Sequence, residues 1–156
     1  MWIFRRRRWP QGDWFALGEA FIVLAVVRLS LATMNFKRIE RVVVSLVRRL
    51  APTPADGTPE DDARLGRAVR RAAVLVPGAK CLAQATAAML LSARYNRRSR
   101  MTIGVKLGAS EAFGAHAWLE TPHGIPVGGA EAAQFAPLLS VDPYPSAQRP
   151  PAGVAS

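Results

Sequence analysis

Helical periodicity occupies the first two thirds of the chain, and strand-like alternation follows it. Across residues 14–50, apolar residues recur at spacings of three and four with a break near 33–36, which predicts two helices. Further helices are predicted over 59–75 and 81–95. The runs within 101–127 are short, alternating and punctuated by glycine, as is typical of strands. Helices followed by strands predict an α+β fold.

The positive charge is concentrated in the same helical part of the chain. The 156 residues carry a formal net charge of +10, to which residues 1–50, 51–100 and 101–156 contribute +7, +5 and −2. Such a basic surface suits an acidic peptide, a nucleic acid or anionic lipid, and charge alone does not choose among them. Half of the residues are hydrophobic, which predicts a packed core.

The cysteine and histidine content limits the disulfides and metal sites that the chain can form. A single cysteine cannot form an internal disulfide and fits a reducing compartment. One cysteine and two histidines without a spaced carboxylate cluster match no zinc motif, and no glycine-rich phosphate loop is present in the sequence. We therefore expect neither a metal nor a cofactor.

The amino end pairs a basic stretch, RRRRW at 5–9, with an apolar run, AFIVLAVV at 20–27. That order resembles a signal peptide, and SLA at 30–32 offers a small-x-small cleavage pattern. However, Arg28 stands between the run and that site, and both Glu19 and Arg28 interrupt the window of about 20 apolar residues that a membrane span needs. We therefore predict a soluble helix here.

The second predicted helix is amphipathic, and a loop follows it. Its apolar positions are Ile39, Val42, Val43, Leu46, Val47 and Leu50. Arginines fill most of the other face, which is either a solvated surface or a membrane or partner surface. In the loop, APTPADGTPEDD at 51–62, Thr58 is the expected N-cap of the next helix, with Asp61 three residues on.

Two residues suggest nucleophilic catalysis. Cys81 begins a predicted helix just after VPG at 76–78, and a helix start stabilises negative charge through its unpaired N–H groups. The alternative is a structural thiol, because free cysteines are usually buried. His116 alternates with apolar residues in a predicted strand over 113–120. A thiol and an imidazole contributed by different elements form a workable Cys–His arrangement.

Three fragments in this order resemble a known family: CLAQATAAMLL, TIGVKLG and FGAHAWLETPHGIPVGG. Together they resemble the protease protein of lasso peptide biosynthesis, which has a transglutaminase-like, papain-related fold. The resemblance covers about residues 68–140, and the basic helical amino region resembles that of the stand-alone form. It implies an α+β cysteine-protease core in which the nucleophile helix packs on a small antiparallel sheet.

The expected organisation is one folded unit with four regions. These are a basic helical region over 1–50, a linker over 51–62, the transglutaminase-like core over 63–140 and a flexible tail over 141–156. The tail is expected from its proline, alanine and serine content.

The resemblance implies a leader peptidase in which Cys81 is the nucleophile and His116 the base. Its substrate would be a precursor peptide, delivered by a separate leader-recognition protein because no leader-binding domain is recognised ahead of the core. An asparagine-synthetase-like cyclase would then close the ring. We expect a cytoplasmic protein that binds no nucleic acid, with membrane contact through the basic helices as an option. Two alternatives are another acyl-transfer enzyme on this fold, such as a transglutaminase or amidase, and a non-enzymatic binding module.

The chain departs from the family pattern at the third catalytic residue. The family places an acid shortly after the glycine turn, where this chain has VGG at 127–129. Glu131 is the predicted substitute, at about 2.6–3.2 Å from the His116 ring. Glu120 competes for that role, and a Cys–His pair without a third residue is the other alternative.

Two further polar residues are expected to be ordinary. Gln84, an amide near the cysteine, is predicted to be a helix-face residue and not an oxyanion donor. His123 lies in a proline- and glycine-containing turn and is predicted to be exposed and non-catalytic.

Overall fold

The computed structural model describes residues 12–106 and 114–144. It contains five helices and four strands in these ranges: α1 Asp13–Thr33, α2 Phe36–Leu50, α3 Pro59–Leu75, α4 Cys81–Arg94, β1 Arg100–Lys106, β2 Gly114–Thr121, β3 Gly124–Val127, α5 Gly129–Ala132 and β4 Ala136–Val141. The predicted α+β fold is confirmed. The basic stretch at 5–9 and the expected strand residues 107, 108 and 113 lie outside the described residues.

Helix boundaries follow from local capping chemistry. The Asn35 side chain accepts a hydrogen bond from the Arg38 N–H at 3.0 Å, which separates α2 from α1 at the predicted break. Thr58 and Asp61 form a capping box, in which each side chain accepts a hydrogen bond from the other residue's backbone N–H. The N-cap predicted at Thr58 is confirmed.

The four strands form one antiparallel sheet in the order β3-β2-β1-β4. The central pair is β1 and β2, with Gly104 opposite His116. The edge strand β4 was not predicted, because its sequence, APLLSV, includes a proline and lacks a clear alternation. Its exposed edge position tolerates both features.

The beginning of the predicted tail belongs to the folded unit. Val141 ends β4 and is buried. Beyond it, the Pro143 carbonyl accepts a hydrogen bond from the Arg48 guanidinium at 2.8 Å, and the Tyr144 hydroxyl donates to the Ala51 carbonyl at 2.5 Å. The prediction of a flexible tail from residue 141 is therefore wrong for residues 141–144. Residues 145–156 lie outside the described residues.

Helix α4 is the centre of the molecule. One face packs on β1 and β2, and helices α1, α2 and α3 pack around it. Fully buried side chains from all these layers join one hydrophobic core: Leu24, Val47, Val69, Met89, Leu91, Met101 and Leu119. The basic helices therefore share the core that carries the predicted nucleophile.

Helix α1 is attached to α4 by polar bonds as well as by packing. By length and composition, Trp14–Thr33 could cross a membrane, with a mean hydropathy of 2.0, so the prediction that Glu19 and Arg28 interrupt such a window is wrong. In the structure, the Glu19 carboxylate accepts a hydrogen bond from the Tyr95 hydroxyl and pairs with Arg94. Burial and the neighbouring Glu19 carboxylate raise the pKa of Tyr95.

Candidate active site

Cys81 is the first residue of α4, as predicted. The preceding residue, Lys80, is the N-cap and makes no side-chain capping bond, so the N–H groups of the first turn remain available to a ligand. The chain enters the helix through a turn in which Gly78 has φ +72, a conformation that favours glycine. The thiol is partly buried and packs against the core. Its position combines access with a favourable electrostatic environment for a nucleophile.

Gln84 faces back over the start of the same helix. Its side-chain amide donates a hydrogen bond to the Ala79 carbonyl at 2.8 Å. This bond uses one of the two amide N–H donors to brace the turn before Cys81.

His116 lies on the opposite face of β2 from the residues that cover α4. Ala117 and Leu119 join the core shared with the helices, and successive strand residues point to opposite sides. The imidazole is 7% exposed. It stacks on Trp118, with ring centroids 6.0 Å apart, and contacts the Phe135 ring at 5.1 Å. Two aromatic rings therefore restrict its orientation.

A backbone carbonyl sets the tautomer of His116. The Nε2 atom lies 2.8 Å from the carbonyl oxygen of Gly128. A carbonyl can only accept, so Nε2 carries the hydrogen and Nδ1 of the neutral ring has a free lone pair. Nδ1 is therefore the atom that can act as a base.

Glycine at position 128 makes this hydrogen bond possible. Gly128 has φ +78, and a Cβ built on it would lie 2.8 Å from the Ala117 carbonyl oxygen and 2.9 Å from Trp118 Cβ. A side chain at this position would therefore clash with backbone as well as strain the chain. The family resemblance implied an acidic side chain near this position. In the structure, the hydrogen-bond acceptor for the imidazole is the main-chain carbonyl of Gly128 instead.

Glu131 lies near the imidazole but does not orient it. Its Oε2 atom is 3.8 Å from His116 Nδ1, and its side chain is 66% exposed. The hydrogen bond predicted at about 2.6–3.2 Å is absent from this structure. The carboxylate approaches the base nitrogen, so its contribution there is electrostatic.

Glu120, the alternative third residue, and His123 both have hydrogen-bond partners elsewhere. The Glu120 carboxylate accepts hydrogen bonds from Arg100, Thr102 and Trp118. Burial raises the pKa of Glu120, but these bonds outweigh burial and the net shift is downward.

His123 is exposed, as predicted, and its Nε2 lies 3.1 Å from the Gly57 carbonyl oxygen. In residues 12–106 and 114–144, no group of three His, Cys, Asp or Glu side chains is placed to hold a metal ion.

Measured along α4 and β1, Cys81 and His116 lie toward the same end of these elements, with the imidazole on the face of the sheet away from α4. The Thr86 hydroxyl on α4 lies 3.6 Å from the Met101 sulfur on β1. Cys81 precedes Thr86 in sequence and lies about 7.5 Å from it along the axis of α4. Gly104, the pairing partner of His116, follows Met101 and lies about 10 Å from it along β1. Among the described residues, no hydrogen bond joins the thiol to the imidazole. Catalytic hydrogen bonds are often long before substrate binds.

We expect Gly128→Asp to destabilise the fold and not to supply the missing acid. Left-handed strain and the close Ala117 carbonyl should together lower the free energy of unfolding by about 2–4 kcal/mol. Urea denaturation of the purified variant measures this change. Gly18→Ala is the matched control, because nothing lies within 4 Å of a Cβ at that helical position. A Gly128→Asp variant as stable as the wild type would show that position 128 accepts a carboxylate.

Comparison with protein families adds one result to this geometry. The family model described as the transglutaminase-like superfamily matches residues 23–140. The match begins well before the fragments that carry the lasso protease resemblance, and it includes the second half of α1 and all of α2. Neither the curated proteins nor the solved structures gave a significant match. With a helix-borne cysteine and a strand-borne histidine on a small antiparallel sheet, the chain belongs to the transglutaminase-like superfamily, whose fold serves cysteine proteases and acyl-transfer enzymes.

Proposed function

We propose that this protein is a cysteine peptidase that removes the leader from a ribosomally made lasso peptide precursor. The observation that carries a thiol-dependent reaction is the tautomer of His116, because the Gly128 carbonyl leaves Nδ1 as a base. Cys81, the first residue of α4, is the thiol that this base would serve. The lasso substrate rests on the resemblance of the three sequence fragments.

The proposed reaction proceeds through an acyl-enzyme. Nδ1 of His116 takes the Cys81 proton, and the thiolate attacks the scissile carbonyl carbon. The oxyanion accepts hydrogen bonds from N–H groups in the first turn of α4, which the Lys80 side chain does not occupy. The imidazolium then protonates the leaving amine as the C–N bond breaks. Water, deprotonated by the same imidazole, hydrolyses the thioester and restores the thiol.

The neighbours of His116 suit the changes of charge in this cycle. While the ring is protonated, Nε2 still donates to the Gly128 carbonyl, so the orienting bond is kept in both states. The Glu131 carboxylate, 3.8 Å from Nδ1 and largely exposed, offsets part of the imidazolium charge. Since this contact is exposed and longer than a hydrogen bond, its effect on rate is modest.

The other parts of the proposal concern the substrate's delivery. A leader-recognition protein presents the precursor, and an asparagine-synthetase-like cyclase uses the freed amino terminus to close the macrolactam. Both reactions belong to the cytoplasm, where a single unpaired cysteine stays reduced.

The test is to incubate the purified chain with a synthetic lasso precursor and its leader-recognition protein in water enriched in ¹⁸O. Hydrolysis yields free leader and core peptides, and ¹⁸O enters the new carboxylate of the leader. A primary amine is included in the incubation. A transglutaminase-type activity would join that amine to the acyl group in a new amide, which contains no ¹⁸O. Intact precursor at the end of the incubation, or an amide product alone, would contradict the leader peptidase.

A non-enzymatic binding role is the second candidate, and the missing thiol–imidazole hydrogen bond favours it. Alkylation by iodoacetamide separates the two, because the thiolate is the reactive form. If Cys81 reacts faster in the wild type than in His116→Ala, the imidazole assists the thiol and the enzyme is supported. Equal rates in the two proteins would favour the binding role.

A further inference from the structure

Helix α1 has two apolar faces, and only one of them is covered. The covered face packs on α3 and α4 through Ala16, Ala20, Leu24 and Val27. The other face presents Phe15, Ile22, Val26 and Leu29, of which the last three are 63%, 58% and 67% exposed. These four residues, called the α1 stripe below, recur at spacings of seven, four and three and span about 21 Å.

The apolar surface continues beyond the stripe. Trp14, at the start of α1, is 84% exposed and lines a depression together with Leu17, Arg71, Val74 and Leu75. Large exposed apolar patches on a soluble protein mark interaction sites. A solvated helix face would carry charged residues at these positions.

A positively charged surface follows directly along the chain. Two residues separate α1 from α2, whose solvent-facing residues include Lys37, Arg38, Arg41 and Arg49. The exposed apolar side chains Val42 and Leu46 lie among these cations. The sequence also has four arginines at positions 5–8, shortly before α1. Exposed aromatic and aliphatic residues beside clustered arginines are typical of helices that lie in the interface of anionic membranes.

The contacts of α1 determine how it could meet a membrane. Glu19 is bonded to Tyr95 and Arg94 of the α4 end, and the Arg28 guanidinium packs on Gly78 in the turn before Cys81. If α1 crossed the bilayer, these bonds would break and the covered face would leave the core. A helix lying in the membrane plane keeps every one of these contacts and uses the stripe together with the exposed Trp14.

We infer that the α1 stripe docks this protein on an anionic membrane surface, with the arginines of α2 over the phosphate headgroups. The occupant is lipid and not an acidic protein, because exposed apolar side chains extend for about 21 Å along α1 and clustered cations follow on α2. Its position on the side of α4 away from the sheet leaves His116 and its surroundings free. The inference does not depend on the proposed peptidase activity.

The experiment is co-sedimentation of the full chain with vesicles of phosphatidylcholine alone or mixed with phosphatidylglycerol. We expect binding to the mixed vesicles and much weaker binding to phosphatidylcholine. Salt should weaken it, because the Debye length falls from about 10 Å at 0.1 M to about 3 Å at 1 M. The triple variant Ile22→Ser, Val26→Ser and Leu29→Ser should bind at least about ten-fold more weakly.

Leu138→Ser is the matched control, since Leu138 is 70% exposed on β4, far from the stripe. It should bind vesicles as the wild type does. Insertion is read separately from the quenching of Trp14 fluorescence by brominated lipid, with Trp14→Phe to identify the signal. Thermal melting checks that the triple variant is folded, and the exposure of its three positions predicts a melting temperature close to that of the wild type.

Three results would overturn the inference. The wild type could remain unbound with mixed vesicles, the triple variant could bind as tightly as the wild type, or Trp14 could escape quenching by brominated lipid. Loss of binding to a purified leader-recognition protein in the triple variant, with no vesicle binding by the wild type, would identify the stripe as a protein interface instead.

Discussion

Replacing Cys81 with alanine should abolish leader cleavage while leaving the fold unchanged. Alanine is the best helix former and fits the first turn of α4, so helix stability should not fall. The thiol is only partly buried, so the lost packing is small. Loss of the covalent nucleophile lowers kcat by about 10⁶-fold in a well-studied serine hydrolase. Mass spectrometry of the precursor digest measures cleavage, and circular dichroism with thermal melting measures the fold.

Cys81→Ser is the informative companion variant. It keeps the size and the helix start but replaces the thiol with a much weaker nucleophile. We expect it to fail like Cys81→Ala and to melt like the wild type. Cleavage at the wild-type rate by either variant would exclude Cys81 as the nucleophile and with it the proposed mechanism.

The second large effect is expected from His116→Ala, with a loss of about 10²–10⁴-fold in cleavage rate. This substitution also removes the donor to the Gly128 carbonyl, which costs about 1–3 kcal/mol if that oxygen stays buried and unpaired. A loss of activity caused by lower stability would not identify His116 as a base. Rescue of His116→Ala by added imidazole would identify it, because a free base restores proton transfer but not the stability of the fold.

Variants at two other positions serve as controls for the effect of His116→Ala. His123→Ala should cleave nearly normally, since the ring is exposed and its Nε2 bonds to the Gly57 carbonyl. Glu131→Gln should reduce the rate by no more than about ten-fold, because its contact with Nδ1 is long and solvent-screened. If His123→Ala fails and His116→Ala cleaves normally, the assignment of the base on β2 is wrong.

Local signals predicted the helical half of the molecule well. The break near Asn35, the capping box at Thr58 and the helix start at Cys81 all depend on residues within one or two turns of each other. Such interactions are encoded over a few neighbouring positions, so periodicity and cap residues reveal them. The β2 strand was found for the same reason, because its alternation is unbroken from Gly114 to Glu120.

The edge strand β4 was not predicted from the sequence, for a physical reason. Strand β4 pairs with β1, more than thirty residues earlier in the chain, and most of its side chains are exposed. An exposed edge strand needs no hydrophobic alternation, so its sequence carries little signal. The contacts of Pro143 and Tyr144 with α2 are likewise long-range and involve backbone oxygens on at least one side.

The sequence by itself determined the fold class, the helix-borne cysteine and the strand-borne histidine, because these depend on residue types and short spacings. Only the tertiary structure decided what orients the imidazole. Every residue has a carbonyl, so the sequence could not single out Gly128 as the acceptor, and the search for a carboxylate favoured Glu131. Only the packing of α1 on α3 and α4 decided which of its apolar residues face the core, because both faces of that helix are apolar in sequence and burial is settled by neighbours distant along the chain.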